Sequence, residues 1–397
     1  MENRFGMFVH WGIYALTGEH EQAFARCDMP REEYDALARA FNPVGYDPEE
    51  WVLLAKEAGM KYICFTAKHH DGFCMWDTKY TDYNIMHTPY GRDVLKMLAE
   101  ACEKHGMSLS LYYSVPDWNQ ETAYNPLSSH QWKCRCPEKA DTVRYREYVK
   151  NQIRELLCGY GKIYTLFWDI PPRYEDPSIN EMVRGLMPGI LINNRGFDPG
   201  DFATPERSVP EGSRFTQMTE ACQSVGEQSW GYRRMEDYYS ARFLMSSVDK
   251  IMAMGGSYLL NAGPMPSGKI PPQTQRLIRR VGDWYTRMEG NLENTEADPY
   301  PYRINAPDPF VAVRKNRKTY LHFYQGLSVT AVNFFDAPGV PRSARLLNSG
   351  LPLAIRNEKL PTYIGENGRA NGPFPAVFGI PADDYPAEPI VIEIEWE

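Results

Sequence analysis

Apolar strand-like runs alternate with helical patterns through about the first 290 of 397 residues, and this alternation restricts the fold more than any other feature. Phe5 to Val9, Tyr62 to Thr66, Leu109 to Tyr113, Tyr164 to Trp168, Ile190 to Asn193 and Tyr258 to Asn261 read as short buried strands, with Phe215 to Met218 as a further candidate. The helical segments carry their own punctuation. Asp47-Pro48 opens one that Gly59 closes, Asp93 to His105 ends at Gly106, and Thr142 to Leu157 ends at Gly159. Ile179 to Leu186, Asp237 to Met254 and Pro272 to Met288 complete the series. Parallel strands need long crossovers, and helices supply them. The length suits a (β/α)8-like, TIM-type barrel better than an open sheet, with seven strands visible and the eighth missing or irregular. No glycine-rich phosphate fingerprint follows any strand, which disfavours a dinucleotide fold.

The pattern changes near Thr295. Phe310 to Arg314, Thr319 to Tyr324, Ser328 to Val332, Ala344 to Leu347, Leu353 to Ile355 and Ile390 to Ile394 are short alternating runs separated by turn residues. They predict a C-terminal antiparallel β-sandwich over residues 295–397, after a barrel over residues 1–294.

In such a barrel the carboxyl ends of the strands face the mouth, where substrates bind. Those positions carry His10-Trp-Gly12, then Lys68-His-His-Asp-Gly-Phe73, then Tyr112 and Tyr113 with Asp117-Trp118 just after. Trp168-Asp169, Asn193-Asn-Arg195 and Glu220 come next. An aspartate directly after Tyr164-Thr-Leu-Phe-Trp168 is costly to bury unless it meets a polar cavity or a partner. A helix cap or a structural ion pair is the competing explanation. Two carboxylic acids are the minimum for glycoside hydrolysis, and histidine and arginine suit sugar hydroxyls. His69 and His70 resemble a metal pair less well, because neighbours on a strand point to opposite faces. Aromatic residues make up 13% of the chain, which serves a large core or stacking on sugar rings. Trp76 and Trp118 fit either use.

A formal charge of −8 argues against a nucleic-acid or anionic-membrane surface. Cys134-Arg-Cys136 is the one close pair among eight cysteines and lacks further ligands in sequence, so no metal and no cofactor is expected. No secretory leader precedes the first strand and no long apolar span follows, which predicts a cytoplasmic protein. Self-association into a homo-oligomer stays open.

His10-Trp-Gly12, Lys68 to Phe73, Tyr112-Tyr-Ser114, Asp169, Asn194-Arg195, Ser229-Trp-Gly-Tyr-Arg233 and Leu259-Leu-Asn-Ala-Gly-Pro264 occur in the order seen in family 29 glycoside hydrolases, the α-L-fucosidases. The resemblance covers roughly residues 4 to 290. It implies a retaining mechanism on a fucosylated glycoside, with Asp169 as nucleophile. It places His10, Glu21, His69, His70, Tyr112, Arg195 and Trp230 on substrate. For the acid/base it offers Glu220, favoured because it follows an expected strand, and Glu206 as the alternative.

Two departures stand out. Where the family has Trp-Phe-Asp-Gly or a close variant, this chain has Phe167-Trp-Asp-Ile-Pro-Pro172, so the loop after the aspartate is expected to take another path. Where the family often has Glu-Trp, this chain has Glu21-Gln22 and loses an aromatic wall. The expected activity is exo-acting, retaining α-L-fucoside hydrolysis. A related α-glycosidase acting on another sugar, such as a galactoside, and a non-catalytic glycan-binding barrel are the alternatives.

Overall fold

The computed structural model describes residues 3–208, 210–288, 292, 294–365 and 367–397. Contacts divide them into two compact units. One holds a parallel sheet; the other joins an antiparallel sheet to Ser240–Ser257 and to the chain from Arg280 onward.

The parallel sheet has seven strands: β1 (Phe5–Val9), β2 (Tyr62–Lys68), β3 (Ser108–Ser114), β4 (Ile163–Asp169), β5 (Leu191–Ile192), β6 (Glu220–Ser224) and β7 (Ser257–Ala262). Their order is β5-β4-β3-β2-β1-β7-β6. Asp47 caps the helix Pro48–Glu57 by accepting from Glu49 N, and Asp93 caps Val94–His105, which ends at left-handed Gly106. Trp51, Val52, Leu95 and Leu98 are the apolar stripes these helices bury. No described helix is long and apolar enough to cross a membrane.

The irregular eighth element is Phe202 to Glu206. Parallel bridges tie Phe202 to Asn193 on one side, and Ala203 to Thr219 and Glu206 to Cys222 on the other. This ribbon spans the gap between β5 and β6. Pro205 has no N–H to give a ladder, which explains why the segment carries no strand signature.

Phe215 to Met218 is not a strand; the strand begins at Glu220. The error has a physical cause. β6 reads Glu-Ala-Cys-Gln-Ser, all buried, so the true strand looks polar. Glu220 therefore opens a strand rather than following one, which corrects the expectation that favoured it.

Phe8, Tyr62, Cys64, Tyr112, Phe167, Cys222 and Leu259 form one buried cluster inside the barrel. Side chains alternate with a period of two, so the same inward face next carries His10 beyond Phe8 and Asp169 beyond Phe167. β2 breaks that rule usefully. Its register against β3 slips between Thr66 and Lys68. Lys68 Nζ then lies 2.8 Å from Asp117 Oδ2 and 4.2 Å from the centre of the Tyr113 ring, fully buried. A bulge of this kind re-aims the side chains beyond it. In this strand those side chains are His69 and His70.

Among the described residues the antiparallel sheet has nine strands around a core that includes Leu321, Phe323, Val332, Leu346, Ile392 and Ile394. Ala331–Asp336 replaces the expected Ser328 to Val332, and Leu353 to Ile355 is the start of a longer strand, Pro352–Ile364. Its partner Ala370–Phe378 left no alternating pattern, because most of this pair is partly or fully exposed and rich in polar residues and proline. Within this unit the helix Ala241–Ala253 is pinned by Asp249, whose Oδ1 lies 2.8 Å from His322 Nδ1, both side chains fully buried.

Candidate active site at the carboxyl ends of the strands

A cavity of about 420 Å³ opens at the carboxyl ends of the strands. His10, Glu21, His69, His70, Tyr112, Asp169, Glu206 and Trp230 all line it. Its size falls in the range of small-ligand sites.

Asp169 is one of its buried lining residues. The Tyr112 hydroxyl donates to Oδ2 at 2.6 Å, and Arg195 Nη1 donates to Oδ1 at 3.2 Å. Burial works to raise the Asp169 pKa, but His70, Arg195 and the Tyr112 hydroxyl outweigh it and hold the carboxyl below its ordinary range. The strand-end charge is thus paired, yet still faces the cavity.

Arg195 Nη1 also contacts Glu206 Oε1, and its Nη2 donates to the Thr204 carbonyl. One nitrogen therefore touches both carboxyl groups. Burial and the nearby Asp169 charge raise the Glu206 pKa, against the pull of Arg195. The two acids are pushed in opposite directions, as acid/base assignments in hydrolases require.

The histidines are neutral at neutral pH. Burial lowers His10 and His70 to about 4, and lowers His69 well below its ordinary value. Their tautomers follow from the surrounding bonds. Ser114 Oγ donates to the Pro116 carbonyl at 2.6 Å, so at 2.7 Å it accepts from His70 Nδ1. His70 Nε2, 3.7 Å from Asp169 Oδ2, is then an acceptor. The Asn261 amide nitrogen donates to the Trp230 carbonyl at 2.7 Å, which turns its oxygen toward His10 Nδ1 at 2.6 Å. His10 Nδ1 therefore carries the proton and its Nε2 accepts. His69 Nδ1 has no protein partner among the described residues, and its ring stacks on Tyr112 at 5.6 Å. This set can accept several hydroxyl protons from a polyol held above Asp169. His69 and His70 share one cavity despite being neighbours, because they lie beyond the bulge, where alternation no longer applies.

Glu21 holds the wall. Its Oε2 accepts from Ser229 Oγ at 2.8 Å, Trp230 N at 2.9 Å and Gly231 N at 3.2 Å. That fixes Trp230, which stacks on His10 at 5.3 Å.

Glu220 lies elsewhere. It is fully buried at the start of β6, accepts from the Tyr62 hydroxyl, and does not line the cavity. Tyr62 opens β2, so the pair sits at the amino ends of the strands, the opposite end from Asp169. Asp71 also turns away, accepting from the Tyr34 hydroxyl at 2.8 Å. Trp76 and Trp118 are fully buried core aromatics that do not line the cavity.

Sequence reading missed Arg207 and His130, which line the cavity together with Ile170 from the departing loop. Arg207 covers the Trp230 ring at 4.5 Å. Its position directly after Glu206 was the available signal. His130 lies in a polar loop with no motif.

A family model described as alpha-L-fucosidase matches residues 1–290. The chain belongs to the alpha-L-fucosidase family. It is therefore a glycoside hydrolase. Alpha-L-fucosidase isoenzyme 1 from Paenibacillus thiaminolyticus superposes with a TM-score of 0.85 at 30% identity, covering 100% of this chain and 97% of that one. The alpha-L-fucosidase from Vibrio sp. strain EJY3 superposes with a TM-score of 0.84 at 26% identity, covering 100% of this chain and 72% of that one. Tissue alpha-L-fucosidase of Rattus norvegicus is 28% identical over 326 residues, 71% of this chain and 66% of the relative.

Ile170, where the family pattern has glycine, turns the chain sharply directly after Asp169, at φ 61. Glycine takes that angle freely, whereas a β-branched residue is strained there. Pro171 and Pro172 follow, and their carbonyls accept from Ser128 Oγ at 2.9 Å and Asn125 Nδ2 at 2.7 Å.

Proposed function

We propose that this family member hydrolyses terminal α-L-fucosides with retention, using Asp169 as nucleophile and Glu206 as acid/base. The carrying observation is the bridge through Arg195 Nη1. Two hydrogen bonds to one nitrogen bring an oxygen of each acid within roughly 6 Å of the other. Retaining pairs stand about 5–5.5 Å apart and inverting pairs 6.5 Å or more.

In the first step an Asp169 oxygen bonds to the anomeric carbon. The bond from that carbon to the leaving oxygen breaks, and the Glu206 proton passes to that oxygen. In the second step water attacks the same carbon, gives a proton to Glu206 and releases Asp169. The neutral histidines and Tyr112 orient the sugar, and Trp230 presents an apolar face to it.

The test is product stereochemistry. Proton NMR of a 4-nitrophenyl α-L-fucoside digest is expected to show the α-anomer of fucose first, with Asp169→Asn losing at least a thousandfold in turnover. First appearance of the β-anomer, or full activity in Asp169→Asn, would overturn the assignment. A parallel panel of aryl α-glycosides, galactoside included, tests the sugar.

A further inference from the structure

Three rings run outward from the nucleophile. His70 lies 3.7 Å from Asp169, the His130 ring is 5.3 Å from His70, and the Trp132 ring is 4.6 Å from His130. His130 lines the cavity, while Trp132 is 59% exposed. Exposure of one large side chain is ordinary on a protein surface. The backbone around this one is not loose, however.

The segment from Trp118 to Lys133 is tied down on both flanks of the indole. Trp118 Nε1 donates to the His130 carbonyl at 2.6 Å. Arg31 donates to the carbonyls of Trp118 and Lys133, and Lys133 Nζ lies 2.8 Å from Asp28. Asn125 and Ser128 hold the turn that comes after Asp169. His130 and Ile170 both line the cavity, and both hold positive φ, 60 and 61. Such strain persists only where surrounding contacts enforce it, and it concentrates at functional sites. The fold thus anchors a loop to the turn after Asp169 and uses it to hold an exposed indole against His130, which lines the cavity.

We infer that Trp132, backed by His130, is a binding platform for the pyranose to which the terminal fucose is attached. The inference rests on the reading of Asp169 and Glu206 as a fucoside-cleaving pair. A flat indole next to the mouth offers its face to the apolar face of a ring that leaves with the cleaved oxygen. The platform selects the leaving sugar and takes no part in bond breaking.

The test compares a substrate that has a leaving sugar with one that has none. With α-L-fucosyl disaccharides on galactose and on N-acetylglucosamine, Trp132→Ala is expected to lower kcat/KM about tenfold on the best wild-type substrate, mainly through KM. With α-L-fucosyl fluoride the same variant is expected to stay within twofold of wild type, and Trp132→Phe is expected to recover most of the disaccharide rate. Equal losses on both substrates, or no loss on either, would overturn the platform. A wild-type enzyme inert toward fucosyl fluoride would instead overturn the reading of Asp169 and Glu206 as a fucoside-cleaving pair.

Discussion

The Tyr112 hydroxyl donates to Asp169 Oδ2 at 2.6 Å, from the neighbouring strand of the same barrel. The bond stabilises the ionised carboxylate. At neutral pH, with His70 uncharged, Tyr112 and Arg195 are the groups that keep Asp169 ionised.

Tyr112→Phe keeps the ring stack with His69 and Phe167 and removes only that donor. Losing a hydrogen bond to a charge costs about 1.5–3 kcal/mol. Asp169 then holds its proton more tightly, so the acid limb of kcat/KM moves to higher pH. The expected fall in kcat/KM is roughly ten- to a hundredfold. An unchanged acid limb in the pH profile would separate Tyr112 from this role.

Glu206 and Glu220 part company by mutation. Glu206 has a raised pKa, so it keeps its proton above the ordinary carboxylate range, and the alkaline limb of kcat/KM is expected to report the loss of that proton. Glu206→Gln is expected to erase that limb and to cut turnover of disaccharides by about a hundredfold or more. Glu220→Gln is expected to leave the pH profile in place. Rates of both variants across pH 4–9 decide the matter, and loss of the limb in Glu220→Gln instead would reverse the assignment.

Glu220 has a different pH signature. Burial pushes its pKa up to about 7, against donation from Tyr62. A carboxyl raised in the folded state loses its proton first in the unfolded chain, so stability falls as pH climbs from the ordinary carboxylate range through 7. The full loss is about 3 kcal/mol. Glu220→Gln removes the titration while keeping an acceptor for Tyr62. Its urea midpoint is expected to exceed that of wild type at pH 8 and to match it near pH 4, as followed by tryptophan fluorescence.

Lys68 and Asp117 are buried together at the bulge that delivers His69 and His70. Lys68→Met leaves Asp117 without its cation, an effect of about 3–5 kcal/mol. The double variant Lys68→Met/Asp117→Asn removes both charges and keeps the acceptor for Asn119 N and Gln120 N. It is expected to melt above the single variant. If the double variant melts below the single, the pair is not coupled through charge.

Much of the site was written locally. An apolar strand that ends in a carboxylate, as Tyr164 to Asp169 does, marks a polar mouth wherever such a strand sits. The same holds for His10 after Phe8. These features need only strand periodicity and the general rule for barrels. The placement of the two candidate glutamates was not local in that sense. Glu206 and Glu220 are the same residue type on adjacent, bridged segments, and their strand signals misled: the ribbon of Glu206 is broken by Pro205, and β6 is too polar to announce where it begins.

The chain's own pattern settled a barrel followed by an antiparallel module, the strand that carries Asp169, and the histidines around it, because burial on a strand imposes a period that is visible in the residues themselves. Tertiary structure alone placed Glu206 on the same arginine as Asp169 and Glu220 at the other end of the strands. A strand's two ends look alike in composition, yet lie on opposite faces of the barrel, and only the hydrogen-bond register between strands says which end a residue occupies.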